Sequence, residues 1–258
     1  MGFANNSYLI NKLEVCNFRK FESISVSFER QLTVLVGDNG VGKSTLIDAA
    51  SIALGTLFQK IENAKALGIT PDDARGAVIK QGDMFDVQSR YPVTIGADGI
   101  VLGENVHWSR SLNTAKGRTT IADAAAVVDA GARLQKLVRS GDTVVLPILA
   151  RYRTDRLWTR TEPKDQSLPN RTRGYEGALQ ASSNDARMNA WFKSQSIWEW
   201  QNRRDSALFS AVKMHWPHVL MRRLPLWTRW SILMPSLVSW CLHIALQMVI
   251  TIAIGSIQ

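Results

Sequence analysis

Apolar positions along this chain repeat with a period near two in some stretches and near 3.6 in others. The changes between the two mark its elements. From Ser7 to Phe18, Leu9, Leu13, Val15 and Cys16 sit among polar neighbours and predict a strand. Ile24, Val26 and Phe28 alternate in the same way and predict a second. Leu32 to Val36 is a short, continuous apolar run rich in β-branched residues, which predicts a buried strand. The period then lengthens: Leu46, Ala50, Ala53, Leu54 and Leu57 follow helical spacing over Thr45 to Leu57.

Farther on, Gly68 to Gly82 reads as a loop passing into a short edge element. Val87 to Ile95 and Ile100 to Leu112 are apolar runs flanking Gly96-Ala-Asp-Gly99, and Asp-Gly between such runs predicts a hairpin turn there. Val106, Trp108 and Arg110 alternate with His107 and Ser109, so one face of that strand is buried and His107 lies on its surface. Thr120 to Ser140 is an alanine-rich helix closed by Arg139-Ser-Gly141. Thr143 to Ala150 is a second continuous apolar run and reads as another buried strand, with Pro147 pushing part of it toward a sheet edge. Thr159 to Gly174, with Pro163 and Pro169, is a polar loop. Met188, Trp191, Phe192, Trp198, Leu208 and Val212 form a helical stripe within Asp185 to Lys213.

The candidate chemistry sits between the third predicted strand and the first helix. Gly37-Asp-Asn-Gly-Val-Gly-Lys-Ser44 matches G-x-x-x-x-G-K-[ST], flanked by strand and helix as a phosphate-binding loop requires. Gly37, Gly40 and Gly42 let the backbone approach a phosphate, while loop N–H groups and the helix N-terminus face the anion. The candidate nucleotide-binding residues are therefore Gly37, Asp38, Asn39, Gly40, Val41, Gly42, Lys43, Ser44 and Thr45. Lys43 is placed for the β- and γ-phosphates of ATP, and the Ser44 hydroxyl for Mg2+. A second basic stretch, Arg151, Arg153 and Arg156 interleaved with Tyr152 and Trp158, fits either a grip on a polyanion or a strand end reaching into water.

Composition changes this picture little until the end of the chain. The 258 residues are 45% hydrophobic and 21% charged, a globular balance with room for one large domain or two small ones. The net charge is +9, and the four bases after Asp205 (Lys213, Arg222, Arg223, Arg229) leave +5 for residues 1–205. That excess favours anionic partners without naming one. Cys16 and Cys241 lie far apart in unlike surroundings, which suggests free thiols in a reducing compartment. No signal-peptide pattern opens the chain, and the expected location is the cytoplasm.

The order of strand, Asn17-Phe-Arg-Lys-Phe21, strand and G-x-N-G-x-G-K-S-T resembles the SMC/RecF/SbcC group of ABC-type ATPases. Within it the chain looks most like the PtuA-like ATPases of bacterial anti-phage systems. Tyr91-Pro-Val, Leu146-Pro-Ile-Leu-Ala-Arg-Tyr152, Thr154-Asp-Arg-Leu-Trp158 and Ala190-Trp-Phe-Lys193 also match, so the resemblance covers roughly residues 8 to 213. It implies an α/β P-loop NTPase fold, the N-terminal lobe of an SMC-like head with an antiparallel β section and added helices. It also implies ATP and Mg2+ as cofactors. The implied partners are a second ATPase head in a homodimer, a nuclease and DNA. In the family an arginine of the N-F-R segment lies near the phosphates, which makes Arg19 a candidate.

Two family motifs are not found. Hydrolysis in this class needs an acid at the end of a second core strand, as four apolar residues followed by Asp-Glu. No Asp-Glu pair occurs, Asp129 follows Val127 and Val128 in a helix-like stretch, and Asp155 lies in a loop after arginines. No serine-glycine signature loop occurs either. This chain is therefore expected to bind ATP without turning it over.

Residues 214–258 are unlike the rest. They hold four of the nine tryptophans, four of the seven methionines and no acid. Ser231 to Gly255 runs 25 residues without Asp, Glu, Lys or Arg, long enough for an inner-membrane anchor over 231–255. His215, His218, Cys241 and His243 have no zinc-site spacing. The alternative is a frameshifted tail: shifted by two bases, the tryptophan codons at Trp216, Trp227 and Trp230 open GNN codons for Ala, Asp, Glu, Gly or Val. The sequence favours this second reading, which divides the chain into an ATPase lobe, 1–213, truncated before its catalytic acids, and an atypical tail, 214–258. The competing functions are a membrane-anchored P-loop NTPase and a small P-loop kinase with the three arginines as a lid. The N-F-R strand ahead of the glycine loop argues against the kinase.

Overall fold

The computed structural model describes residues 7–81, 84–142, 144–152, 171–180 and 185–215. Two compact units divide these residues, the first running through 152 and including 171–180, the second spanning 185–215.

The first unit is built on a four-stranded antiparallel sheet. Strand β1 (Tyr8–Phe18) pairs with β2 (Phe21–Ser27) on one side and with β5 (Val93–Val101) on the other, and β6 (Glu104–Leu112) closes the order β2-β1-β5-β6. The predicted alternation holds: Leu13 and Val15 of β1, Val93, Ile95 and Ala97 of β5, and Trp108 and Leu112 of β6 are buried. A separate ribbon pairs β3 (Gly76–Gln81) with β4 (Met84–Ser89).

Helix α1 (Lys43–Leu54) lies on the buried face of the sheet, with every residue from Leu46 to Leu54 buried. A helix leaves its last carbonyls without intrahelical partners. Here two sheet side chains satisfy them: Trp108 Nε1 donates to the Ala53 carbonyl at 3.2 Å and Tyr8 Oη to that of Leu54 at 2.9 Å. Burial pushes the Tyr8 hydroxyl pKa up, which keeps it a donor. The sheet therefore anchors the C-terminal end of α1, and the glycine loop stands at the opposite end. A 3-10 segment, Gly55–Lys60, follows, and α2 (Ala125–Ser140) packs on it and ends at Gly141 in the left-handed region.

Four expectations need correction. The hairpin exists, but Gly96-Ala-Asp-Gly99 is not its turn. Strand β5 runs through those residues, and the turn is Leu102–Gly103, with φ of 51° and 92°. Positive φ at both central residues is what a two-residue type I′ loop requires. Gly99 serves a different end: a β-carbon there would lie 2.1 Å from the Leu9 carbonyl oxygen, beside the register shift between Ile10 and Lys12.

Leu32 to Val36 is not a buried strand. It forms no ladder among the described residues, and Leu32, Val34 and Val36 are 53%, 61% and 89% exposed. The second apolar run behaves alike: 144–150 is irregular, with Val144 and Leu149 buried but Val145 and Ile148 exposed. An apolar β-branched run forms a strand only where a neighbour supplies the hydrogen bonds, and no described strand does.

In the second unit the predicted single stripe is two helices, α3 (Asp185–Asn202) and α4 (Ala207–His215), separated at Arg203, whose φ is 49°. Trp191, Phe192 and Phe209 pack edge to face with centroids 5.3–5.7 Å apart. Trp198 and Leu208 of the predicted stripe are exposed. The Glu199 carboxylate accepts the Ser206 N–H at 2.9 Å and the Lys213 ammonium at 2.8 Å, tying the two helices.

No helix among the described residues is long and apolar enough to cross a membrane. Residues 216–258 fall outside the described residues. So do Arg153, Arg156, Trp158 and most of the predicted 159–174 loop, together with the anchor, frameshift and zinc readings of the tail.

Candidate functional site

The glycine loop, 37–42, is exposed except for half-buried Gly42 and passes directly into α1. Gly40 and Gly42 have φ of 81° and 107°, a region L-residues enter only with strain. Gly42 has a second reason to be glycine: a β-carbon there would lie 2.4 Å from Phe21 Cζ and 2.9 Å from Lys20 Cδ. The turn between β1 and β2 is thus seated on the loop.

Helix α1 opens at Lys43 with Gly42 as its N-cap, and no side chain caps it. The first intrahelical bond runs from Leu46 N–H to the Gly42 carbonyl at 3.0 Å, and Val41 N–H bonds Asp38 O at 3.4 Å. No helical carbonyl is in place for the N–H groups of Lys43, Ser44 and Thr45, which belong to the first turn. The Lys43 ammonium folds over the loop and donates to the carbonyls of Gly37 at 2.6 Å and Asp38 at 2.7 Å. Ser44 is exposed and Thr45 half-buried. Asn39 and Val41 lie on the exposed rim. The predicted loop residues are therefore brought together as one donor-rich turn.

This donor set fits a polyphosphate: first-turn N–H groups, a positive helix end and an ammonium, with no carboxylate hydrogen-bonded to the loop among the described residues. For Mg2+, the chain supplies the Ser44 hydroxyl oxygen. No group of three or more His, Cys, Asp or Glu suited to a metal exists among the described residues. Magnesium bound to phosphates keeps much of its shell as phosphate oxygen and water, and Ser44 would add one protein oxygen to that shell.

Arg19 stands next to this loop, yet its side chain is turned elsewhere. Its Nη1 donates to Asp48 Oδ2 at 2.6 Å and its Nε to Asp73 Oδ1 at 2.8 Å, while its backbone N–H bonds the Asp73 carbonyl at 2.6 Å. Burial opposes the Arg19 charge, but the two carboxylates outweigh it and raise its pKa above the ordinary arginine value. Asp48, on the second turn of α1, also accepts Nη2 of Arg151. Arg151 is buried rather than presented to a polyanion, while its neighbour Tyr152 is exposed. The Arg151 backbone N–H bonds the Ala178 carbonyl at 2.8 Å. His107 lies on the exposed face of β6 as expected, its Nδ1 2.7 Å from Asp98 Oδ1.

Four contributors were not singled out from the sequence. Lys20 donates to the Gly40 carbonyl at 2.5 Å, and Phe21 covers Gly42. Asp48 and Asp73 hold Arg19. Lys20 and Phe21 were adjacent to the candidate in Asn17-Phe-Arg-Lys-Phe21. Asp48 was visible as a lone acid inside the apolar run Leu46-Ile-Asp-Ala-Ala50.

Residues 12–197, most of the chain, match the profile of a family described as AAA domain. The chain belongs to the AAA domain family. Over 47 residues this AAA domain is 49% identical to the DNA repair protein RecN of Bacillus subtilis (strain 168), a match covering 18% of the chain and 8% of that protein. It is 43% identical over 47 residues to the RecN protein of Halalkalibacterium halodurans, again 18% of the chain and 8% of the relative. To the chromosome partition protein Smc of Methanocaldococcus jannaschii it is 39% identical over 51 residues, 20% of the chain and 4% of Smc. The AAA domain thus spans less than a tenth of the length of these relatives (8% of RecN, 4% of Smc). These similarities and the fold agree with an SMC/RecF-like P-loop NTPase. Membership of this family implies nucleotide binding.

Proposed function

We propose that this chain is the nucleotide-binding lobe of an SMC/RecF-like ATPase and binds ATP with Mg2+ at residues 37–45. The observation that carries the reading is the Lys43 ammonium held inside the loop on the Gly37 and Asp38 carbonyls, at the opening of α1. An ammonium on neutral carbonyls gains by exchanging them for phosphate oxygens, because charge meets charge. Backbone N–H groups take the remaining phosphate oxygens, and Ser44 gives one oxygen to the metal.

The chain contains no Asp-Glu pair to hold Mg2+ and orient water, so nucleotide is bound by this chain alone but not turned over. Residues 1–213 form the binding lobe, and the tail is a segment of separate origin. By similarity to proteins named for DNA repair and chromosome partition, the working assembly pairs two such heads and acts on DNA. The PtuA-like motif order adds a nuclease partner and an anti-phage role.

Calorimetry of the full chain with MgATP, run beside a phosphate-release assay, tests this. Binding that disappears in Lys43→Ala, without phosphate release above background, is expected. Absence of binding in the unsubstituted chain, or turnover that depends on Lys43, overturns the reading.

A further inference from the structure

We propose that Lys20, outside the glycine-loop motif, is a second phosphate-binding cation of this site and answers to the terminal phosphate of a nucleoside triphosphate. The inference rests on the nucleotide-binding reading of residues 37–45.

Two ammonium groups sit on this one loop, at different places. Lys43 holds the carbonyls at its start, Gly37 and Asp38, and Lys20 holds that of Gly40 at 2.5 Å. Both are paired with neutral dipoles, so both gain when an anion enters. Lys20 reaches the loop from the β1–β2 turn, and that turn is fixed in three ways. The Arg19 side chain bridges Asp48 and Asp73. The Arg19 N–H bonds the Asp73 carbonyl at 2.6 Å. The Phe21 ring covers Gly42 and lies 6.0 Å from the Lys20 ammonium. Such anchoring lowers the ordering cost of bringing a lysine to a phosphate.

The same anchoring explains why the arginine beside it is not the group on the loop. Arg19 is committed to two carboxylates, whereas Lys20 is exposed and, among the described residues, its ammonium hydrogen-bonds a neutral carbonyl and no carboxylate. The Gly40 carbonyl belongs to the loop two residues before the N-cap of α1 in the chain. A cation there adds charge beyond the phosphates held at the helix start, where a triphosphate has one more group than a diphosphate.

The test is calorimetry of the full chain with MgATP and with ADP, comparing the unsubstituted protein with Lys20→Ala, Lys20→Gln, Lys20→Arg and Lys43→Ala. Lys20→Ala is expected to weaken ATP about tenfold, the scale of one charge-assisted hydrogen bond, and ADP much less. Lys20→Arg keeps the charge and retains most of the affinity. Lys20→Gln can still donate to Gly40 but carries no charge, and it behaves like the alanine variant. Glutamine matching the unsubstituted protein would reduce Lys20 to a structural tie and overturn the proposal, as would equal losses for ATP and ADP. If Lys20→Ala binds ATP normally while Lys43→Ala does not, the nucleotide site stands and the role of Lys20 falls. No binding by the unsubstituted chain removes both.

Discussion

Arg151 reaches back 103 residues along the chain to pair with Asp48 on the second turn of α1, which also accepts Arg19. One buried carboxylate thus joins the turn after β1, the helix behind the glycine loop and the 144–152 segment. Removing one member of a buried ion pair leaves the other charge in a poor dielectric.

Asp48→Ala is therefore expected to destabilise the chain by on the order of 3 kcal/mol, with Asp48→Asn costing less because it still accepts one hydrogen bond. Urea unfolding followed by tryptophan fluorescence reads this. A change under about 1 kcal/mol would mean that the cluster is solvated and stabilises little.

Gly42→Ala meets two obstacles, positive φ and the Phe21 ring. A loss of about 1–3 kcal/mol is expected, together with loss of ATP binding in the calorimetric assay. Adding Phe21→Ala relieves the contact and leaves the φ strain, so recovery should be partial. Full recovery would show that crowding alone selects glycine.

Gly131 sits within α2, where alanine is the better helix former by about 1 kcal/mol. A β-carbon there would nonetheless lie 2.2 Å from the Leu57 carbonyl oxygen, and backbone is slow to yield. Gly131→Ala should be net destabilising by about 1 kcal/mol, since overpacking exceeds the propensity gain. A raised melting temperature would contradict this packing of α2 on residues 55–60.

The Glu199 carboxyl lies below its ordinary value of 4.5, held first by the Lys213 ammonium and then by the Ser206 N–H. A depressed carboxylate contributes stability that is present above the unfolded value and lost as pH falls through the folded one. The α3–α4 tie should thus be complete above pH 4.5 and weaken below it. Comparing Glu199→Gln with the unsubstituted chain by hydrogen exchange at Ser206 isolates this group. A difference between them at neutral pH that shrinks on acidification is expected, and one that stays constant with pH would refute the linkage.

The local patterns carried a large part of this protein. The alternation in Ser7 to Phe18 and around Trp108 specified strands with one buried face, since side-chain period alone assigns the faces. The motif Gly37 to Ser44 specified a loop opening a helix, because glycine tolerance of positive φ is a property of the residue. Other decisions depended on groups far away in sequence. Asp98-Gly99 has the chemistry of a turn, yet the close approach of Leu9 kept it inside β5. Leu32 to Val36 has the composition of a buried strand, yet a strand is made by its neighbour's hydrogen bonds, and none is in place among the described residues. Arg19 and Lys20 are adjacent bases that no local rule separates. Asp48, 29 residues from Arg19, and Asp73, 54 residues away, took the arginine into an ion cluster and left the lysine on the loop. Which charge meets which is a matter of distance in space, and only the fold sets it.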